Sequence, residues 1–112
     1  MKFFKLSEFD CKCCGQNKMN RRFLFCLDYA RERAGVPFII TSGFRCEKAA
    51  SGKKNHSEGI AADIRAMNSQ ERFKILEALL DTGFRRIGIN KDKKFIHVDQ
   101  SEIKSQQVIW VY

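Results

Sequence analysis

Two short segments of this chain alternate apolar and polar residues in a way that only a one-sided β-strand can use. In Ala61-Ala62-Asp63-Ile64-Arg65, the residues Ala61, Asp63 and Arg65 fall on one face, and Ala62 and Ile64 on the other. In the segment from Lys94 to Val98, continued by Asp99, His97 and Asp99 share a face opposite Ile96 and Val98. A sheet built from such strands buries one side against helices and keeps polar chemistry on the other.

The helices are visible as well. Phe23, Leu27, Ala30 and Ala34 recur at helical spacing, which predicts a helix over Arg21–Ala34, capped by Asn20 and stopped by Gly35 and Pro37. A second helix is predicted from Ser69 to Thr82, with Asn68 and Glu71 at capping-box spacing and Phe73, Leu76 and Leu80 as its buried stripe. Phe38–Thr41 reads as a buried strand, Cys46–Glu58 as a small, polar surface loop, and Arg85–Ile89 with Lys94–Val98 as a hairpin. Val108–Tyr112 reads as a last strand. The expected fold is α+β, a small, mostly antiparallel sheet backed by two main helices, in a single domain over residues 1–112. The ten phenylalanines are consistent with a packed interior.

The chain has only two histidines, and both lie beside aspartates. His56 opens His56-Ser57-Glu58-Gly59-Ile60-Ala61-Ala62-Asp63, and His97 sits two residues before Asp99. This spacing places His56 at the end of a loop and Asp63 in a strand, with Gly59 expected to bring backbone near a metal. Neighbouring strands can then aim His56, Asp63 and His97 at one point. Two imidazoles and one carboxylate leave a coordination position open, the pattern of a catalytic rather than a structural zinc. Arg45, after Ser42-Gly43-Phe44, is a candidate to bind a substrate carboxylate or steady an oxyanion.

The formal charge of +8, from 21 basic and 13 acidic residues, favours polyanions without choosing among them. No apolar run is long enough to span a bilayer, and the N-terminal residues lack the apolar core of a signal peptide. Synthesis in the cytoplasm is therefore expected, with release or association with a virion needed for action outside the cell. The five cysteines are read as reduced thiols. Cys11, Cys13 and Cys14 cluster before Gly15, and a second metal there is a lesser reading because a second cysteine pair is missing. Cys26 is read as core.

Taken together, these residues resemble the M15 peptidases, the zinc D-Ala-D-Ala carboxypeptidase and L,D-endopeptidase group, which share a fold with the Hedgehog signalling domain. The resemblance runs through Phe4–Phe9, Ile40–Arg45, His56–Ile64, Arg86–Ile89, Phe95–Asp99 and Val108–Tyr112, and is closest to short phage and bacterial forms. It implies zinc on His56, Asp63 and His97, substrate contact by Arg45, and peptidoglycan stem peptides as substrate. No nucleic-acid partner and a monomeric state are expected.

Two positions depart from the pattern. Lys54 replaces a common serine before the first histidine. Lys94 stands where relatives carry the Glu or Asp that acts as general base. Asp99 is then the leading candidate base, or else a residue that orients an imidazole, with Asp92 and Glu58 behind it. A wall-binding relative without turnover is the alternative function. A cysteine-metal nucleic-acid module is a third reading, weakened by the absence of a clear basic recognition helix.

Overall fold

A computed structural model describes residues 1–50 and 54–112. Its elements are a 3-10 turn at Leu6–Phe9, then α1 (Arg21–Ala34), β1 (Ile40–Ser42), α2 (Glu47–Ala50), α3 (Lys54–Ser57), β2 (Ala61–Arg65), α4 (Ser69–Asp81), β3 (Arg86–Asn90), β4 (Phe95–Asp99) and β5 (Val108–Val111). The five strands form one sheet in the order β1-β2-β4-β3-β5. Every neighbouring pair is antiparallel except β3 and β5, which run parallel. The fold is therefore α+β, as the alternation of periods predicted.

Local chemistry sets the helix ends. The side chain of Asn20 accepts the Phe23 N–H at 3.0 Å, and Gly35 closes α1 in the left-handed region at φ 67°. Such a cap contributes about 1 kcal/mol. At the other long helix, Asn68 accepts the Glu71 N–H at 2.9 Å. The Glu71 carboxylate reaches back one residue further than a capping box requires, to the Met67 N–H at 3.0 Å.

The core lies between one face of the sheet and α1 with α4. Ala62 and Ile64 of β2, Ile96 and Val98 of β4 and Ile87 of β3 meet Phe23, Leu24, Leu27, Ile75 and Leu79. The expected stripe on α4 is wrong in phase. Phe73 is 64% exposed and Leu80 50% exposed, whereas Ile75, Ala78 and Leu79 are buried. Ile75, Ala78 and Leu79 stand at i, i+3 and i+4, an equally valid helical face, and contact with α1 and the sheet selects it. Leu76 is partly buried against the core, as is Cys26, which fits its expected packing role.

Asp28 is a buried acid on α1. Its carboxylate accepts the N–H groups of Lys2, Phe3 and Phe4 at 2.9, 2.9 and 3.1 Å, fastening the N-terminal segment to the helix. Burial pushes its carboxyl up, but these amides outweigh that and hold it below the usual carboxylate range.

The Cys46–Glu58 stretch is not simply a surface loop. Within its described part, α2 and α3 are single helical turns, and Asn55 and His56 are buried. Asn55 and His56 turn into a polar interior, while Glu47, Lys48 and Glu58 are exposed as the composition suggests. The predicted strand at Phe38–Thr41 is shifted, pairing at Ile40–Ser42 with Phe38 fully buried ahead of it. The side chain of Lys54 lies outside the described residues.

Candidate metal centre

The face of the sheet turned away from α1 and α4 carries the site, and strand register builds it. Asp63 pairs with His97, His97 with Gly88, and Gly88 with Trp110, so one row crosses β2, β4, β3 and β5. Ser42 of β1 also stands opposite Asp63, next to a register irregularity. The adjacent row places Ala61 and Arg86 on either side of Asp99. His56 enters from α3.

The ligand atoms of His56, Asp63 and His97 all lie within 4.8 Å of one another. The His56 Nδ1 is 2.9 Å from the Gly43 carbonyl, so it must carry the proton and donate. Its Nε2 then presents a lone pair, 3.5 Å from Asp63 Oδ1. For His97 the roles of the nitrogens are reversed. Nε2 is 2.7 Å from Asp99 Oδ2, and Nδ1 is 3.0 Å from the same Asp63 Oδ1.

Two ring lone pairs and a carboxylate oxygen thus converge on one point. Such an arrangement is repulsive unless a cation, a proton or a metal, sits among them. The residues fit a divalent metal, with each imidazole oriented by an acceptor on its far nitrogen. Without a metal, protons fill that role. Burial pushes the Asp63 carboxyl up, yet its hydrogen bonds to His56 and His97 hold it well below the usual range. Burial pushes the His97 imidazole down, but Asp63 and Asp99 outweigh it and raise it.

Asp99 is 1% exposed. Its Oδ2 faces His97 Nε2 and accepts from Asn55 Nδ2 at 3.2 Å. Its Oδ1 accepts from Arg86 Nε at 2.7 Å and from the Ser101 N–H at 3.0 Å. Burial raises its carboxyl, but His97 above all, then Ser101 and Arg86, hold it low. Arg45 donates from Nε to Ser42 Oγ at 2.7 Å and from a terminal nitrogen to Asp63 Oδ2 at 3.0 Å. Among the described residues these engage two of the guanidinium's five N–H groups, and the side chain, 24% exposed, lines the cavity.

That cavity, about 280 Å³, is lined by the three candidate ligands together with Arg45, Trp110 and Tyr112, among others. The other candidate bases lie outside it. Asp92 is exposed in the β3–β4 turn, and Glu58 is exposed away from the lining. Lys94 is exposed, with backbone in the left-handed region at φ 56°.

Several residues of this site escape a reading by motif. Asn55 precedes the first histidine and has no spacing signature. Arg86 stands in an apolar strand, and that incongruity is the one signal that marks it. It donates to Asp99 and to the Ser105 carbonyl at 2.7 Å, and its guanidinium lies 4.9 Å from the Trp110 ring. Trp110 in turn lies 5.7 Å from the His97 ring, and Gly88 makes room for it. A Cβ at Gly88 would come within 2.6 Å of the indole. Gly59, at φ 75°, brings its backbone against the Lys18 carbonyl, where a Cβ would clash.

Comparison with curated proteins and with solved structures gave no match. The family profile described as Peptidase M15 matches residues 2–99, a span that contains His56, Asp63, His97, Arg45 and Asp99. The chain belongs to the peptidase M15 family.

Proposed function

We propose that the protein is a zinc-dependent metallopeptidase that hydrolyses peptide bonds in peptidoglycan stem peptides or their cross-links, as a carboxypeptidase or an endopeptidase of phage or bacterial origin. The observation that carries this reading is the convergence of two imidazole lone pairs and the Asp63 oxygen at an open cavity beside Arg45. When bound, zinc supplies a Lewis acid for the scissile carbonyl and lowers the pKa of water to about 7.

The protein's own residues supply orientation. Gly43 and Asp99 fix the ring tautomers, and Asp63 shares its second oxygen with Arg45. The Arg45 N–H groups that no described residue engages suit a peptide carboxylate or a developing oxyanion. Of the two roles open to Asp99, the hydrogen bonds around it favour orienting His97 over accepting a proton from water. The charge of +8 favours approach to an anionic wall from the outside, after release or on a virion.

A second reading, a wall-peptide-binding module without turnover, is favoured by one observation. Among the described residues, the acidic side chains lining the cavity are Asp63 and Asp99, and both are committed. Digestion of peptidoglycans of several chemotypes separates the two. New peptide termini found by mass spectrometry with the zinc-loaded wild type, absent with His97→Ala and after chelation, support the peptidase. Intact muropeptides that nevertheless bind the protein overturn it in favour of the module.

A further inference from the structure

The cysteine cluster has no part in the site above. In the sequence it is Cys11-Lys12-Cys13-Cys14-Gly15, short of a full ligand set. The fold supplies the missing member. Cys46, which directly follows Arg45, brings its sulfur to Cys11 and Cys14, and the three Sγ atoms lie within 4.8 Å of one another. Cys13 stands outside this trio, exposed on the same turn, and its neighbour Cys46 pushes its thiol up. All five cysteines are free thiols.

The loop is shaped around the Cys11 sulfur, which is buried. The Cys46 N–H donates to it at 3.4 Å, and the backbone amides of Cys46 above all, then Cys14 and Cys13, outweigh burial and hold the thiol below its usual range. A tight turn produces this geometry. The Gly15 N–H donates to the Cys11 carbonyl at 2.8 Å, the Cys11 N–H donates to the Gln16 carbonyl at 2.8 Å, and Gly15 takes φ 75°. Backbone amides ringing a sulfur stabilise a thiolate without the bulk of a cationic side chain. In a tetrahedral zinc site, zinc–sulfur bonds of about 2.3 Å place sulfurs about 3.8 Å apart. The observed cluster needs to contract by about 1 Å at most to meet that geometry.

We propose that Cys11, Cys14 and Cys46, completed by Cys13, form a second metal site, a structural one for zinc or a comparable thiophilic divalent ion. Each ligating thiol gives up its proton to solvent as the metal binds. A closed set of thiolates leaves no position for substrate, so the site ties segments together instead of reacting. It joins the N-terminal loop to Gly43–Cys46, the segment that supplies the His56 acceptor and Arg45. The two segments already touch, since the Phe44 N–H donates to the Phe9 carbonyl at 2.8 Å. A Cβ at Gly43 would come within 2.6 Å of the Phe9 backbone.

Anaerobic cobalt(II) titration of the reduced full-length chain tests this, because thiolate–cobalt charge-transfer absorption is absent from a histidine–carboxylate site. In the double variant His56→Ala/His97→Ala these bands are expected to saturate at one equivalent and to vanish when zinc is added. In Cys14→Ser/Cys46→Ser they are expected to be absent, while one equivalent of metal still binds. If the cysteine variant fails to fold, the same bands in the wild type decide. A folded histidine variant that binds cobalt without charge-transfer bands overturns the site. So does an intact mass showing these cysteines paired as disulfides after purification with zinc. Failure of peptidoglycan cleavage bears on neither result.

Discussion

Replacing Asp99 by asparagine changes one atom, and the structure says which interactions that atom controls. The two Asp99 oxygens are divided. Oδ1 serves Arg86 Nε and the Ser101 N–H, and Oδ2 serves His97 Nε2 and Asn55 Nδ2. In Asp99→Asn the amide oxygen best stays on the Arg86 side, because the reverse aims an NH2 group at a buried guanidinium. The NH2 group then faces His97 Nε2, which must accept, and the ring proton moves to Nδ1, the nitrogen that faces Asp63. Metal binding now has to displace that proton and forgo a charged acceptor on the ring. Loss of such an outer partner costs about 10- to 100-fold in metal affinity, or about 1.4–2.8 kcal/mol. Arg86 also loses its anionic partner but keeps a hydrogen bond, so folding stability should fall by about 1–3 kcal/mol. Zinc affinity would be read by competition with a chromophoric chelator, and folding by circular dichroism. Zinc affinity within twofold of wild type, in a folded variant, refutes the orienting role. If peptide cleavage is lost while zinc affinity is unchanged, Asp99 is instead the group that takes the proton.

Three further outcomes can be checked. Without metal, raised His97 contributes stability that is complete below the unfolded imidazole value of about 6.5 and is lost as pH rises through its folded value. Lowered Asp63 and Asp99 contribute stability that is complete above the unfolded carboxyl value of about 3.9 and is lost as pH falls. Melting of the metal-free protein should therefore peak between those limits, with zinc extending the plateau upward; a metal-free maximum above pH 8 contradicts this. Gly88→Ala should push the Trp110 ring off His97 and Arg86 and cost about 1–3 kcal/mol by overpacking, visible as changed emission from the single tryptophan. Unchanged emission and melting would show the ring is not where it packs in this fold. Arg45→Lys cannot reach Ser42 and Asp63 while also addressing a substrate, so kcat/KM on stem peptides should drop about 10- to 100-fold, as loss of a charged hydrogen bond predicts. A loss below threefold would remove Arg45 from the site.

Much of this protein is legible residue by residue. The Asn20 and Asn68 caps, the Ala61–Arg65 strand and the shared face of His97 and Asp99 follow from local rules, since a helix start and a two-residue period depend only on nearby atoms. The choice of His56, Asp63 and His97 as candidate ligands of one metal also rests on local spacing and on the scarcity of histidine. What local spacing could not supply is pairing. Which helical face of α4 is buried depended on the shape of α1 and the sheet, because two faces of Ser69–Asp81 carry apolar residues at helical spacing. The same holds for partners far apart in the chain. Arg86 meets Asp99, Gly88 yields to Trp110, Asn55 reaches Asp99 and Cys46 joins Cys11 and Cys14 because strand register and loop approach bring them together. The sequence alone determined the strand faces, the helix ends and the identity of the candidate ligands, because those depend on neighbours a few residues away. Only the tertiary structure decided how each imidazole is oriented, what saturates Asp99 and which cysteines meet, because those are contacts between segments that the chain order does not place side by side.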